Sequence, residues 1–306
     1  MRMLVVGAGS TGGYFGGRLA QAGRDVTFLV RPTRAAQLAE RGLQILSPHG
    51  DFTLRPQFVT ADLISDSYDA ILLTVKAFSL ESALADMAPA VGPETMILPV
   101  LNGMRHVDIL AGRFGKNTVV GCACQIAGSM DDQGRIVQHN LIQNIAYGEM
   151  GGEVSPRIER LDRFMRAAGF DARLSPAIER EMWEKWILLA GLGGINCLMR
   201  GTIGDVAQAP GGTEFALAVL EEVVAVVGAV GVPPSPAFGA AVKEMLTAAG
   251  SSQTSSMYRD LLRGVRIEAD QIIGDLVKRA RAAGIETPLL GAIYTHLCVY
   301  QDRLSS

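Results

Sequence analysis

The sequence predicts an α/β fold in which an N-terminal, doubly wound parallel sheet is followed by a second, all-helical domain. Short apolar strands alternate with helical stretches in the first half of the chain, the pattern of a parallel sheet covered on both faces. The strand signal stops after Ser175-Pro176, and long amphipathic helices separated by glycine- and proline-containing turns follow. The chain has 306 residues. That is about twice the usual single-domain size, so two cores are expected.

A βαβ unit opens the chain. Residues 3–6 form an apolar strand, Thr11 to Gln21 a helical stretch, and VTFLV a second strand. The alternation continues through the strands YDAILLTVK, TMILPVL and NTVVGCACQI. Two antiparallel pairs are also expected: the hairpin LQILSPHGDFTLRP, and RIVQH paired with QNIAYG. The first domain is therefore predicted over residues 1–174 and the helical domain over residues 175–306.

Composition and charge argue against several classes of protein. Hydrophobic residues make up 48% of the chain and charged residues 19%, as in ordinary globular proteins. A formal net charge of -3 gives no reason to expect a nucleic acid or an anionic membrane as partner. The apolar stretch Trp186 to Met199 is shorter than the roughly 20 residues of a membrane span, and the N-terminal apolar run is too short for a secretory signal. A cytoplasmic protein is expected.

The four cysteines, Cys122, Cys124, Cys197 and Cys298, are too few and too scattered for a disulfide framework. Cys122 and Cys124 would share one face of a strand. Metal binding is not expected there, because the spacing of other ligands and clustered histidines are missing. Reduced thiols are the simplest interpretation.

A dinucleotide fingerprint occurs in its required context, directly after a strand and at the start of a helix. It consists of Gly7, Ala8, Gly9, Ser10, Thr11 and Gly12. Backbone amides at a helix N-terminus can approach a pyrophosphate closely where no Cβ obstructs them. The motif predicts a Rossmann-type nucleotide site, and the alternative is a glycine-rich turn without a ligand.

The second strand ends in Val30-Arg31, where NAD-binding domains usually carry an acidic residue for the ribose hydroxyls. A cation at this position can pair with the additional phosphate of NADP. Arg31, together with Arg34, therefore favours NADP(H) as cofactor. The alternative is that both arginines are solvated residues at the start of a helix.

Two polar residues follow later strands of the predicted sheet. Lys76 ends the strand AILLTVK, and Asn102 follows LPVL. Ligands of doubly wound folds bind at the carboxyl ends of the strands. Both residues are therefore candidate site residues, although strands often end in polar residues for other reasons.

The first helix of the second domain carries a cation near its apolar stripe. Met182, Trp186, Leu189 and Gly193 form the stripe, and Lys185 lies close to it in projection. A lysine at this position extends its amine to solvent, forms an ion pair or takes part in chemistry. An i,i+4 ion pair with Glu181 is the alternative.

Further along, Ser256 lies near the start of a helix and Glu268 about three turns beyond it. Helix capping would explain Ser256, and Glu268 could be solvated. Neither residue indicates a function by itself.

Together these segments resemble the ketopantoate reductase (2-dehydropantoate 2-reductase) family, whose members join a Rossmann domain to a helical domain. The resemblance spans both domains in order and rests on GAGSTG, LLTVKA, LPVLNGM, MWEKW and SSMYRD followed by Glu268. It implies NADPH-dependent reduction of a small 2-oxo acid.

The same resemblance implies the roles of individual residues. Lys185 would be the catalytic acid, Ser256 would hold the substrate carboxylate, and Glu268 would contact the cofactor and the lysine. Lys76 and Asn102 would line the cofactor and substrate cleft, so that Asn102 serves both ligands. Ala127 matches a cofactor-contacting alanine of the family.

The chain departs from the family pattern after the lysine. Typical members carry asparagines four and eight residues later, which hold a substrate hydroxyl, whereas this chain has Leu189 and Gly193. Asn196 is displaced by three residues, and the role does not transfer to it. The substrate therefore stays open between ketopantoate and a related 2-oxo acid.

Alternatives to this interpretation are a β-hydroxy acid or polyol-phosphate dehydrogenase of related architecture, and a non-catalytic NADP-binding protein. A homodimer is a further hypothesis, because the apolar helices from Phe215 to Val232 could pack within the domain or against a second copy.

Overall fold

The computed structural model describes residues 1–305 and divides the chain into two compact units. The first unit comprises Met1–Leu101 and His106–Glu179. The second comprises Asn102–Arg105 and the described residues from Arg180 onward.

The strands belong to the first unit. They are β1 (Arg2–Val6), β2 (Asp25–Leu29), β3 (Leu43–Leu46), β4 (Phe52–Leu54), β5 (Gln57–Val59), β6 (Ala70–Leu73), β7 (Met96–Pro99), β8 (Val120–Met130), β9 (Ile136–Glu149) and β10 (Asp171–Leu174). The α-helices occur in both units. They are α1 (Ser10–Gln21), α2 (Pro32–Arg41), α3 (Leu80–Met87), α4 (Arg105–Phe114), α5 (Pro156–Met165), α6 (Ile178–Met199), α7 (Ile203–Gln208), α8 (Gly212–Val230), α9 (Pro236–Leu246), α10 (Ser256–Leu262), α11 (Asp275–Ala282) and α12 (Pro288–Ser305).

A five-stranded parallel sheet forms the centre of the first unit, in the order β5-β2-β1-β6-β7. Successive residues of β1 face opposite sides of it. Met3 and Val5 pack in one apolar cluster with residues of α1, whereas Leu4 and Val6 pack in another with residues of α3. Because both faces are covered, the strands are continuously apolar in sequence. The predicted fold class is confirmed.

The second sheet has the order β10-β9-β3-β4, and β8 pairs with β9. The predicted hairpin is present, with β3 and β4 antiparallel. The prediction that NTVVGCACQI extends the parallel sheet is correct only at the start of the segment. Val119 forms a parallel bridge with Ile97 of β7, and β8 then pairs antiparallel with β9.

The prediction that RIVQH pairs with QNIAYG is wrong, because both belong to β9 and pair with β8. A tight turn before β9 explains this. Gly134 adopts a φ of 77°, and its N–H donates to Asp131 O at 2.9 Å, which reverses the chain and makes β8 the adjacent partner. The register shifts between Ile126 and Gly128, so residues 139–142 interrupt the ladder where the sequence suggested two strands.

Helices from α6 onward build the second unit. Every residue from 190 to 197 of α6 is buried. Helix α8 buries Ala216, Val219, Val223 and Val227 and contacts α7, α9, α11 and α12. Much of the apolar stretch considered for a dimer surface is thus used inside the unit. None of the described helices has the length and apolarity that crossing a bilayer requires.

Candidate active site

The glycine-rich segment connects β1 to α1 in the conformation that the fingerprint requires. Gly7 has a φ of 98°, a left-handed conformation that favours glycine, and its N–H donates to Leu29 O at 3.1 Å. Gly9 is the N-cap of α1 and offers no side chain to cap it. The first N–H groups of a helix lack intrahelical partners. They are therefore suited to an anion here.

Two glycines of this segment differ in what surrounds them. A Cβ on Gly12 would overlap Thr74 Oγ1 and Gly7 O, whereas a Cβ on Gly9 would meet nothing within 4 Å. The space beside Gly12 is therefore filled by the chain itself, and the space beside Gly9 is open to a ligand.

Thr74 stabilises this loop, although no sequence motif identifies it. Its hydroxyl donates to Val6 O at 2.8 Å and lies 3.0 Å from Gly7 O, so it joins the end of β6 to the glycine loop. The sequence shows a threonine before Val75-Lys76, but it does not show that β6 pairs with β1 and so brings Thr74 to the glycine loop.

The two candidate arginines have different surroundings. Arg31 is exposed at the N-cap position of α2, and its Nη2 lies 3.4 Å from Ser82 Oγ. Arg34 is half-buried, and its Nη1 donates to Gly134 O at 2.9 Å and to Gln37 Oε1 at 3.1 Å. Burial lowers the pKa of Arg34. Its Nε and Nη2 are buried and have no acceptor among the described residues.

Lys76 and Ala127 also lie in the first unit. Lys76 is exposed, three residues beyond the end of β6 and just before a short 3-10 turn, Ala77–Ser79. Ala127 is half-buried in β8, at the register shift opposite the interrupted part of β9. A local irregularity of this kind often re-aims side chains near a site.

Asn102 and Glu268 are brought together in the second unit, although they are far apart in sequence. Asn102 Nδ2 donates to Glu268 Oε2 at 3.3 Å. Glu268 is only 8% exposed. A carboxylate this buried needs hydrogen-bond donors. The amide of Asn102 is one of them.

Lys185 is half-buried on α6. Its neighbours Met182 and Trp186 are 4% and 0% exposed, as the apolar stripe predicts. The structure therefore places a cation beside an apolar surface. Lys185, Asn102 and Glu268 all belong to the second unit.

The face of α6 beyond Lys185 is apolar. Leu189 is half-buried. A Cβ on Gly193 would lie only 2.9 Å from the Met257 methyl. Asn196 is fully buried, donates to Gly201 O at 2.9 Å and accepts from the Ser255 N–H at 2.8 Å. Asn196 therefore holds the loop before α10 rather than facing a ligand.

The capping explanation for Ser256 is wrong, because Ser255 is the N-cap of α10. Ser255 Oγ accepts from the Tyr258 N–H at 3.0 Å, and Ser255 is 4% exposed. Ser256 is the first residue of the helix and is exposed. Its hydroxyl is not used for capping.

The described cysteines are mostly buried. Cys122, Cys124 and Cys197 are buried, and Cys298 is half-buried. Burial raises the pKa of the Cys197 thiol to about 12. That thiol stays protonated and unreactive near neutral pH.

Matches to known families and proteins cover nearly the whole chain. Residues 3–152 match the family model described as ketopantoate reductase PanE/ApbA, and residues 177–301 match its C-terminal model. An uncharacterized oxidoreductase of Bacillus subtilis, YkpB, is 34% identical over 98% of this chain and 99% of its own length. The 2-dehydropantoate 2-reductase of Halobacterium salinarum is 26% identical over 95% of both chains.

Solved structures share the fold along its full length. A ketopantoate reductase of Ralstonia eutropha superposes with a TM-score of 0.89 at 24% identity, covering 100% of both chains. A 2-dehydropantoate 2-reductase of Geobacter metallireducens gives 0.85 at 26% identity, covering 97% of this chain and 99% of its own. D-mandelate dehydrogenase with NADH and anilino(oxo)acetate gives 0.87 at 20% identity with full coverage of both chains, a likeness of fold.

Proposed function

The chain belongs to the ketopantoate reductase family, and on that premise we propose that it uses NADPH to reduce 2-dehydropantoate (ketopantoate), or a related 2-oxo acid, to the 2-hydroxy acid. The observation that carries the proposal is the glycine loop. Gly12 leaves no room for a side chain inside the loop, whereas Gly9 faces open space at the start of α1. That is the geometry a pyrophosphate needs.

The residues present fit NADP(H). The segment from Gly7 to Gly12 would hold the pyrophosphate, and Arg31 with Arg34 the additional phosphate. The exposed position of Arg31 at the start of α2 supports this assignment. Lys76, Ala127, Asn102 and Glu268 would make further contacts to the cofactor. When bound, NADPH supplies the hydride for the reduction.

Lys185 is the proposed general acid. Its ammonium stabilises negative charge on the carbonyl oxygen of the substrate and donates a proton to that oxygen. The carboxylate of Glu268 would orient the ammonium. The hydroxyl of Ser256 and the amide of Asn102 bind the acid.

The apolar face of α6 bears on the choice of substrate. Leu189 and the Met257 methyl beside Gly193 offer no hydrogen bond to a hydroxyl on the substrate. A site built this way binds a hydrocarbon tail, and it rejects an added hydroxyl only modestly, by up to about a hundredfold. Ketopantoate and its relatives without the terminal hydroxyl therefore both belong in the proposed substrate class.

NADPH oxidation with a panel of 2-oxo acids tests the reaction. We expect turnover with 2-dehydropantoate and with trimethylpyruvate, which differs from it only by lacking the terminal hydroxyl. Oxidation of β-hydroxy acids or polyol phosphates with NADP⁺ as hydride acceptor, without reduction of any 2-oxo acid, would favour the related dehydrogenases. Tight NADPH binding without turnover of any compound would favour a non-catalytic NADP-binding protein and contradict the proposal.

The same pair of acids tests the role of Leu189. Leu189→Asn supplies an amide on this face, so kcat/KM for 2-dehydropantoate should rise relative to that for trimethylpyruvate. Leu262→Asn makes the same change at an exposed position of α10 and is the control. An unchanged ratio in Leu189→Asn would remove this residue from the substrate contact.

We further propose that the protein is cytoplasmic and forms a homodimer. A ketopantoate reductase of Staphylococcus aureus with the same fold is described as dimeric. Light scattering of the purified protein measures the state in solution, and a monomeric mass would contradict the dimer.

A further inference from the structure

The segment that follows Glu268 contains one turn of π-helix, Asp270–Gly274, which leads into α11. A π-helical turn is wider than an α-helical one and disturbs the regular ladder of backbone hydrogen bonds. Such a turn weakens the helix that contains it, and it recurs at functional sites. Gln271, Ile272 and Ile273 on this turn are buried.

Consecutive residues of this π-turn bind two different segments that carry candidate site residues. Gln271 Nε2 donates to the main-chain oxygen of Asn102 at 2.7 Å. Trp186 Nε1, on the residue after Lys185, donates to Ile272 O at 2.9 Å. The π-turn thereby holds the Asn102 loop and the Lys185 helix at one place.

Gly103 shows how closely the Asn102 loop approaches the π-turn. It has a φ of 77°, and a Cβ there would come within 2.8 Å of Gln271 O and 3.5 Å of Trp186 Nε1. The main chain at Asn102 and Gly103 is therefore fixed from outside the loop, and not by the loop sequence alone.

The opposite side of the π-turn is also supported. The Tyr294 ring packs against Gly274, where a Cβ would lie only 2.7 Å from the ring. The Tyr294 hydroxyl donates to Asp270 Oδ1 at 2.6 Å. That hydrogen bond, together with burial, raises the pKa of Tyr294.

We infer that Gln271 is a positioning residue, which fixes the main chain of Asn102 so that the Asn102 amide is presented to cofactor and substrate. The inference rests on the proposed role of Asn102 and goes beyond it, because Gln271 acts without touching either ligand. Glu268, two residues before the π-turn, accepts a hydrogen bond from the side-chain amide of the same asparagine. Asn102 is therefore held at both its main chain and its side chain.

A double-mutant cycle with Gln271→Met and Asn102→Ala tests this role. Methionine has a similar length and no donor. In the otherwise unchanged chain we expect kcat/KM for the acid to fall about tenfold or more, because small displacements of a contacting group are costly. The NADPH dissociation constant, measured by calorimetry, should rise. In the Asn102→Ala background both effects should fall below about twofold.

Thermal stability separates positioning from a purely structural role. Asn102→Ala keeps the main-chain oxygen that Gln271 binds, so Gln271→Met should lower Tm by the same amount in both backgrounds. Gln208→Met makes the same exchange at an exposed residue of α7 and is the control. Gln271→Asn keeps the amide but is one methylene shorter, and it replaces Gln271→Met if that variant does not fold.

The inference would be overturned if Gln271→Met lowered kcat/KM and NADPH affinity by the same factor in the Asn102→Ala background as in the otherwise unchanged chain. If the unchanged protein binds NADPH but reduces no acid, the proposed function fails. The calorimetric cycle then still decides whether Gln271 acts through Asn102.

Discussion

Lys185 combines a charge with a half-buried position beside apolar residues of α6, and its proposed role is the most direct to test. Lys185→Ala removes both the proton donor and the charge that stabilises the carbonyl oxygen. We expect turnover to fall by about a hundredfold or more. NADPH oxidation at saturating acid measures it, with the exposed Lys243→Ala as control. Turnover near that of the unchanged protein would exclude Lys185 as the acid.

Arg31 governs the choice of cofactor in the proposed function. Arg31→Glu replaces an attraction to the additional phosphate of NADPH by a repulsion, so the NADPH dissociation constant should rise about tenfold or more. That of NADH should change much less. Calorimetric titration of both cofactors checks this, and Arg160→Glu on an exposed position of α5 controls for net charge. Equal weakening of NADH and NADPH binding would contradict the phosphate contact.

A local motif is enough to propose a single residue from the sequence. The glycine segment and Arg31 follow from their position after a strand, without knowledge of distant contacts. Thr74 and Gln271 have no local motif, because their hydrogen bonds reach residues remote in sequence, Gly7 and Asn102. The capping alternative for Ser256 lies one residue beyond the actual N-cap, Ser255, an ordinary uncertainty of helix boundaries.

The turn from β1 into α1 allows a matched comparison of two glycines. Gly12→Ala overlaps the chain itself, so it should destabilise the fold by about 1–3 kcal/mol even without cofactor. Gly9→Ala meets no atom within 4 Å, so stability should be nearly unchanged while NADPH binding weakens. Denaturant unfolding and calorimetric titration of each variant measure the two effects. Unaltered NADPH affinity in Gly9→Ala would place the pyrophosphate elsewhere.

Elements were predicted well wherever their periodicity is intrinsic, as in the strands of the parallel sheet. The partner of a strand is not encoded in periodicity. NTVVGCACQI is a strand as predicted, yet the turn ending at Gly134 gives it an antiparallel partner. The π-turn at Asp270–Gly274 has no local signature, because packing of Tyr294 on Gly274 supports it from α12.

We expect acid stability of the molecule to depend in part on an ion pair of the first unit between the buried Glu149 and the half-buried Arg157. Glu149 accepts from Arg157 Nε at 2.7 Å and Nη2 at 2.6 Å, and from Ser155 Oγ at 2.5 Å. Burial acts to raise the pKa of Glu149, but the hydrogen bonds from Arg157 and Ser155 outweigh it and lower that pKa. A lowered folded-state pKa stabilises the protein above the unfolded value of about 4.3 and ceases to do so as pH falls below it.

Glu149→Gln should therefore unfold at a lower temperature than the unchanged protein at pH 7, with a cost of about 1–3 kcal/mol. The difference should shrink as the pH is lowered through about 4 and below. Thermal melts across this range measure it, with the exposed Glu244→Gln as control. A difference that is constant with pH would show that ionisation of Glu149 is not its source.

At the scale of the whole chain, the sequence predicts two domains with one boundary near residue 174, and that boundary remains a proposal. The residues Asn102–Arg105 cluster with the second unit although they follow a strand of the first. A single boundary in the sequence therefore does not describe the division into units. The segment 102–105 groups with the second unit because the Gln271 side chain binds Asn102 and the main chain at Gly103 lies close to Gln271.

The chain has two tryptophans, and both lie on α6 within two residues of Lys185. Their ring centroids are 5.4 Å apart, and the Arg279 guanidinium lies 5.8 and 5.7 Å from the two rings. All indole emission of this protein therefore originates on the helix that carries the proposed acid. Tryptophan fluorescence therefore monitors that helix without an added dye. A ligand that changes the surroundings of the two indoles will change the intensity or the wavelength of this emission.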